Sequence, residues 1–403
     1  LKEQCAFFIF SPFLKNSCMF FILRVKMKSV VTSGEYIQSL AGRKCFIPHP
    51  LPPALSLPQE IQRLIADIRG LLGEVKIYGQ LLPSASVLIY GSLRREAIAS
   101  STIEGTVASP EELLQYESGR VGEREAVREV ANYRSALERG VDSVRDSRLS
   151  LNMILGLHSE LMRGVQGMEL AGSLKSSQNF IGGTLNRSID EAIFVPAPPE
   201  RTRELLEQML AYTNSEQIED PIVQVALVHY QFETIHPFGD GNGRMGRLLI
   251  ILHLMQLGIL DKPLIYPSAY IEKHRDEYYA SLQGVRDHAN WLQWIEFFLR
   301  TLEAQAQETI RVSSKLLELR SQIRSDIPSR ARSASVEAVL SSFFEEPISS
   351  PSDIAARVGL SYNTVRKSLE SLENEGIVFR IPRHKRSASF GCAPLLKILF
   401  NES

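Results

Sequence analysis

The chain reads as a mainly α-helical protein with a small β-hairpin flap and a winged helix at its C-terminal end. Apolar residues recur at helical spacing through most of residues 59–326. Residues 167–199 break that texture with Gly, Ser, Asn and Pro around short β-prone pieces, SSQNFIGG and AIFVP, as a hairpin or flap would. Residues 334–403 carry a helix, a glycine turn, a second helix and a basic hairpin in that order.

The elements follow one by one. After a Pro-rich entry, His49 to Pro58, the spacing of Ile61, Leu64, Ile65, Ile68, Leu71 and Leu72 predicts a helix over Gln59–Leu82. A second helix is expected from Ser92, read as its N-cap, to Glu104, with Gly105 as the stop. Further helices are expected at Glu111–Tyr116, Arg124–Arg139, Leu149–Arg163 and Pro199–Asn214. Asp220 reads as an N-cap with Pro221 in the first helical position, opening Ile222–Glu233. Beyond it, helices are expected at Leu248–Leu257, Ser268–Arg286 and Trp291–Leu302, with Gln305–Arg324 as an amphipathic connector. The domain division that follows is 31–145, 146–303, a connector at 304–333, and 334–403.

With 403 residues, 44% apolar and 23% charged, the composition is that of a globular protein of two or three domains. A net charge of −1 gives no overall pull toward nucleic acid or membrane. Cys5, Cys18, Cys45 and Cys392 lack CxxC spacing, which argues against a zinc site or a disulfide framework and for a reducing cytoplasm. The apolar runs CAFFIF and CMFFIL are each too short to span a bilayer, and Pro12, Lys15 and Asn16 interrupt them. Residues 1–30 read as an upstream extension or a poorly defined tail, with a cryptic membrane anchor as the alternative.

The chemistry concentrates in His236–Arg247, HPFGDGNGRMGR. His236 is the one group in that run that titrates near neutral pH, and it suits a general base acting on a hydroxyl. Asp240 is short, hard and anionic, as Mg2+ beside phosphate requires. Gly241 and Gly243 flank Asn242 just before an apolar helix, so their amides would form an anion cradle at its N-terminus. Arg244 and Arg247 project from the first turn, where guanidinium groups hold phosphate oxygens. The helix dipole mildly opposes positive charge there, so stability alone does not explain them.

This run matches HxFx(D/E)GNGRxxR, and by it the chain resembles the Fic family at every defined position. The resemblance implies a Fic-type helical core and transfer of AMP from ATP to a Ser, Thr or Tyr hydroxyl of a target protein. His236 would be the base, Asp240 the Mg2+ ligand, and Phe238, Gly239, Gly241, Asn242, Gly243, Arg244 and Arg247 the phosphate site. Doc-like relatives, which phosphorylate, carry Lys where this chain has Gly243, a difference that favours adenylylation. REAIASSTIEGT resembles the family's inhibitory (S/T)xxxE(G/N) segment, with Ser100 and Glu104 on one helix face. That likeness places Glu104 against Arg247, obstructing the ATP γ-phosphate. An acid in the last helical turn meets the negative end of the dipole, so Glu104 independently calls for a cationic partner.

SSQNFIGG, Ser176–Gly183, resembles the family's flap, which pairs with the target as an added strand and covers the nucleotide, here through Ile181 and Gly182. Lys175 stands where the commoner pattern has arginine. Tyr278 and Tyr279 match paired aromatics beside the adenine in relatives, and two core tyrosines are the other reading. Trp291 and Trp294 read as core packing, and His158, His229, His253, His274 and His288 as structural or exposed.

In the C-terminal part, Ser352–Val358, the turn Gly359–Ser361 and Tyr362–Glu375 have helix-turn-helix spacing. Arg380, Arg383, Lys385 and Arg386 make a basic wing, and Asn363, Thr364, Arg366 and Lys367 open the second helix. Glu370, Glu373 and Glu375 oppose a broad basic face, so DNA and a protein partner both remain readings of this module. A homodimer is expected by likeness to the family. The alternatives to adenylylation are a nucleotide-sensing DNA-binding regulator, and a Fic enzyme that removes AMP or transfers another nucleotide or phosphocholine.

Overall fold

Two strands that the sequence reading did not anticipate come first in the computed structural model, β1 (Gly34–Gln38) and β2 (Lys44–Pro48), paired antiparallel with Tyr36 opposite Phe46. The structure describes residues 32–400 apart from 83, 118–123, 166–167, 183–191, 217–219, 327–332 and 382–387. The expectations for residues 1–30, for Gly183, and for Arg383, Lys385 and Arg386 therefore lie outside the described residues.

Helix α1 (Gln59–Leu81) buries the expected stripe Ile61, Leu64, Ile65, Ile68 and Leu72. Helix α2 (Ser86–Ile103) begins six residues before the expected Ser92 start. Ser92 is no cap: it lies inside α2 and its hydroxyl accepts from Arg95, while Val87 and Leu88 are buried and extend the helix backwards. The stop is where the sequence puts it. Gly105 takes φ +91, and its amide and that of Thr106 reach back to Thr102 and Ser101 carbonyls.

Helices α3 (Pro110–Glu117), α4 (Glu125–Asp146) and α5 (Leu151–Leu161) follow, α4 running two turns beyond its expected end. Helix α6 (Pro199–Thr213) leads to α7 (Pro221–Ile235), where the Asp220 carboxylate accepts from Ile222 N at 2.8 Å and Pro221 holds the first position, as expected. Helices α7 and α8 (Asn242–Gln256) are buried on every side and pack together at the centre. At their crossing there is no room for a side chain at Gly246, whose Cβ would lie 2.3 Å from Glu233 Oε1.

The expected Ser268–Arg286 helix is two, α9 (Ser268–Lys273) and α10 (Arg275–His288), broken at His274 with φ −113 and ψ 36. The helix expected at Trp291–Leu302 continues through the connector expected at Gln305–Arg324 as one element, α11 (Trp291–Asp326), which packs along α1. Trp294 is fully buried and donates to the Ala226 carbonyl at 2.9 Å, in line with a core role.

The C-terminal module comprises α12 (Ala334–Phe343), β3 (Ile348–Ser349), α13 (Pro351–Val358), α14 (Tyr362–Asn374), β4 (Val378–Ile381), β5 (Ser389–Cys392) and α15 (Ala393–Phe400). Gly359 caps α13 with φ +69, and Ser361 caps α14 through Thr364 N. The sheet order is β3-β5-β4, a winged helix. The last helix, α15, leaves this module and packs on α11 and on α2, with Leu399 against Gly91 and Phe400 edge-on to Tyr90. No helix among the described residues is long and apolar enough to cross a membrane.

Candidate active site

The motif loop joins two buried helices, so its ends are fixed before any side chain acts. His236 closes α7 in the left-handed region, φ 50 and ψ 63, where a non-glycine residue needs outside support. Gly241, φ 74, opens α8. Between them Asn242 ties the loop to itself, accepting from Phe238 N at 2.8 Å and donating to Phe238 O at 2.9 Å. The Asn242 side chain is thus committed to the loop. The Phe238 ring is likewise no ligand contact, because it is fully buried and stacked on His158 at 3.7 Å.

The imidazole of His236 has a defined polarity. Nδ1 lies 3.3 Å from the Glu233 carbonyl, which can only accept, so Nδ1 carries the hydrogen and Nε2 keeps the lone pair. Burial, then the charges of Lys175 and Arg286, push its pKa down to about 3. The ring is uncharged at neutral pH. Asp240, with a side chain 68% exposed, accepts from Gly241 N with one oxygen and approaches Arg244 Nη2 at 3.5 Å with the other.

The two arginines are both buried but differently held. Arg244, 4% exposed, donates to Glu129 at 2.6 Å. Arg247, 1% exposed, donates through Nε to Ser100 Oγ at 2.9 Å and through Nη2 to Ser100 O and Glu104 Oε1, both at 2.8 Å. Burial alone would raise the Glu104 pKa, yet the charge and hydrogen bond of Arg247 hold it below the ordinary carboxylate value. The same pairing raises the pKa of Arg247 against the opposing effect of burial. The Glu104 carboxylate also lies across the start of α8: a Cβ at Gly243 would fall 2.0 Å from Glu104 Oε1. A carboxylate therefore rests where the anion cradle was expected.

Beside this loop, Ile181 and Phe194 form an antiparallel bridge, with Ile181 N donating to Phe194 O at 2.8 Å. The β1–β2 hairpin backs it, since Phe46 N donates to Val195 O at 3.0 Å. Gly182 takes φ +72, and its missing side chain leaves room for Ile193. The tyrosine pair divides. Tyr278 is buried, its hydroxyl bonded to His229 Nε2 at 3.0 Å and its ring packed near Trp294 and Phe297, so it has no free face for a base. Tyr279 is 38% exposed, with the Arg275 guanidinium over its ring at 5.7 Å.

Several residues that shape the site carried no local signal. His158 accepts from Gly172 N at 3.0 Å with Nδ1, so its Nε2 donates to Asp240 O, also at 3.0 Å. It is a bolt on the motif loop, held neutral by burial with a pKa of about 4. Glu129 of α4 anchors Arg244, and Asn179 donates to the carbonyls of His236 and Phe238. These residues lie 57 to 115 positions in the chain from their partners in the motif, which periodicity cannot register.

Comparison with known proteins agrees with this geometry. The Fic/DOC family model matches residues 148–254, the Fic/DOC family N-terminal model matches residues 63–142, and a winged helix-turn-helix DNA-binding model matches residues 335–378. Protein adenylyltransferase fic-1 of Caenorhabditis briggsae is 32% identical over 164 residues, covering 40% of this chain and 29% of that protein. Its Caenorhabditis elegans counterpart is 31% identical over 170 residues, covering 42% and 30%. The chain thus spans less than a third of the length of these curated relatives. The crystal structure of a Fic family protein from Desulfovibrio desulfuricans G20 has a TM-score of 0.56 to it at 23% identity, covering 85% of this chain and 98% of that one, a likeness of fold.

Proposed function

From the premise that this chain carries the Fic/DOC domain together with that family's N-terminal region and a winged helix, we propose that it is a protein adenylyltransferase restrained by its own helix α2. His236 Nε2 would take the proton of a Ser, Thr or Tyr hydroxyl on a target protein, and the oxygen would attack the α-phosphorus of ATP in line. Pyrophosphate leaves, its charge received by the α8 amides and by Arg244 and Arg247. A base fixed with its lone pair on Nε2 and uncharged at neutral pH is what this step requires.

Mg2+ fits the donor set. Asp240 offers one exposed hard carboxylate, and no group of three His, Cys, Asp or Glu that could hold a metal occurs among the described residues. One carboxylate completed by phosphate oxygens is the usual arrangement beside ATP. The ion, when bound, would neutralise phosphate charge.

The observation that carries the restrained reading is the Glu104 contact: one carboxylate engages Arg247 at 2.8 Å and lies over Gly243, where phosphate would sit. Phosphate and carboxylate compete for the same donors. The flap around Ile181, continued by the hairpin, offers backbone for an added strand from the target. Tyr279 supplies the adenine face. Incubation with ATP labelled at the α-phosphate is the test. Glu104→Gly is expected to label itself or an added extract more strongly than wild type, and His236→Ala not at all. Equal labelling by all three would sink the proposal.

A DNA-binding role for the winged helix is a second reading, supported by exposed Asn363, Arg366 and Lys367 on α14. Arg366 and Arg380 face Glu370 and Glu373, at 3.2 and 3.7 Å, which weakens any basic surface. Duplex binding that falls steeply with salt supports DNA, and no shift at low salt removes it. We extend the reading to a homodimer in the cytoplasm, which sedimentation and cell fractionation would test.

A further inference from the structure

Four consecutive backbone carbonyls of the motif loop are held by two residues that precede the flap bridge. Lys175 Nζ donates to Ile235 O at 3.2 Å, and Lys175 N donates to Pro237 O at 2.9 Å. Asn179 Nδ2 donates to His236 O at 3.0 Å and to Phe238 O at 2.8 Å. The two side chains are joined, with Lys175 Nζ donating to Asn179 Oδ1 at 2.8 Å. That bond orients the Asn179 amide so that its nitrogen faces the loop. Lys175 is buried and makes no ion pair among the described residues.

We propose that Lys175 and Asn179 form a clamp that positions the His236 base and couples it to the flap. A left-handed histidine persists only when its surroundings over-determine it, and the bonded carbonyls on both sides of His236 do that. Asn179 lies two residues before Ile181, so the strand that would receive a target is continuous with the residue that holds the base. Lys175 acts a second time through its charge. The groups facing His236 are Lys175, Arg286 of α10, Glu233 of α7 and Glu104 beyond α2, and after burial Lys175 does most to keep the imidazole unprotonated. Lys175 is itself brought down to about 7 by burial, an effect that Cys45 of β2 opposes. The coupling to catalysis rests on the adenylyltransferase reading, whereas the effect on the imidazole does not.

The test has two arms on the full chain. NMR titration of the His236 imidazole requires no activity, and Lys175→Met is expected to raise its pKa by about one unit or more. Asn179→Leu is expected to leave that pKa in place. In a Glu104→Gly background, Asn179→Leu is expected to lower kcat by about tenfold with KM for ATP unchanged, because the clamp touches the base and not the nucleotide. Lys175→Arg, which keeps charge and donors, is expected to stay near wild type in both arms. If Lys175→Met does not fold, Lys175→Gln, which also removes the charge, carries the titration arm and Asn179→Leu the kinetic one. An unmoved titration in Lys175→Met, or a loss in Asn179→Leu confined to KM or to thermal stability, overturns the proposal. Absence of labelling in every variant would instead count against the enzyme reading, with the titration still deciding the effect of Lys175.

Discussion

Replacing Glu104 by Gln removes one charge and keeps the shape, so its effects can be worked from the contacts of Arg247. Breaking a fully buried ion pair by removing one partner costs about 3–5 kcal/mol. Here Arg247 keeps both bonds to Ser100, the amide oxygen introduced by Glu104→Gln can still accept, and the Glu104 side chain is 34% exposed and screened by water. A loss of about 1–2 kcal/mol is the consistent figure, and the nucleotide-free melting temperature should fall by a few degrees. If ATP must break the same pair to seat its γ-phosphate, the variant is spared that cost. Its affinity for ATP with Mg2+ should then rise by about 5–30-fold, and labelling should rise with it. Calorimetry for Kd, thermal melts with and without nucleotide, and α-labelled ATP give three readings of one quantity. A variant that melts lower yet binds ATP no more tightly would refute the reasoning, because the pair would then stabilise the fold without opposing the nucleotide.

Glu129→Gln leaves Arg244 buried with only Asp240 at 3.5 Å as a carboxylate partner, so chemical denaturation should show a loss of about 2–4 kcal/mol, with no gain in labelling. His158→Leu removes the bonds to Gly172 N and Asp240 O. It should cost about 1–3 kcal/mol and weaken nucleotide binding, measured by melting and calorimetry. Acid should destabilise the chain through its buried histidines. His158, His229 and His236 are held down to about 4, 3 and 3 by burial, and the unfolded chain binds protons near pH 6.5. Between those values the unfolded state carries more protons, so the histidine contribution to stability rises with pH up to about 6.5 and levels above it. Glu104 acts in the same direction at lower pH. Its pKa is depressed, so its contribution is complete above the unfolded carboxylate value and disappears as pH falls through the folded one. Denaturation midpoints measured from about pH 2 to pH 8 check both.

Much of the candidate site's geometry could be read from His236–Arg247 and from REAIASSTIEGT, because short motifs place His236, Gly241, Gly243 and both arginines on one loop and helix start. The Asp220–Pro221 start of α7 and the Gly105 stop of α2 were equally readable, since caps are local chemistry. Other features were set by distant partners. The start of α2 at Ser86 follows from burial of Val87 and Leu88 rather than from a capping side chain. The unbroken α11 follows from packing along α1. Tyr278 and Tyr279 look alike in sequence, and it is packing with His229, Trp294 and Phe297 that places Tyr278 inward. Lys175, Asn179, His158 and Glu129 are ordinary in their own neighbourhoods and acquire meaning only where the chain returns to the motif.

The packing of α15 on α2 gives the winged helix a mechanical connection to the catalytic loop. Leu399 fills the space where Gly91 has no side chain, and a Cβ there would fall 2.9 Å from it, so α15 and the helix that carries Ser100 and leads to Glu104 share one surface. Thermodynamic reciprocity then applies. If an occupant of the winged helix changes nucleotide affinity through this contact, nucleotide must change the affinity of that occupant by the same factor.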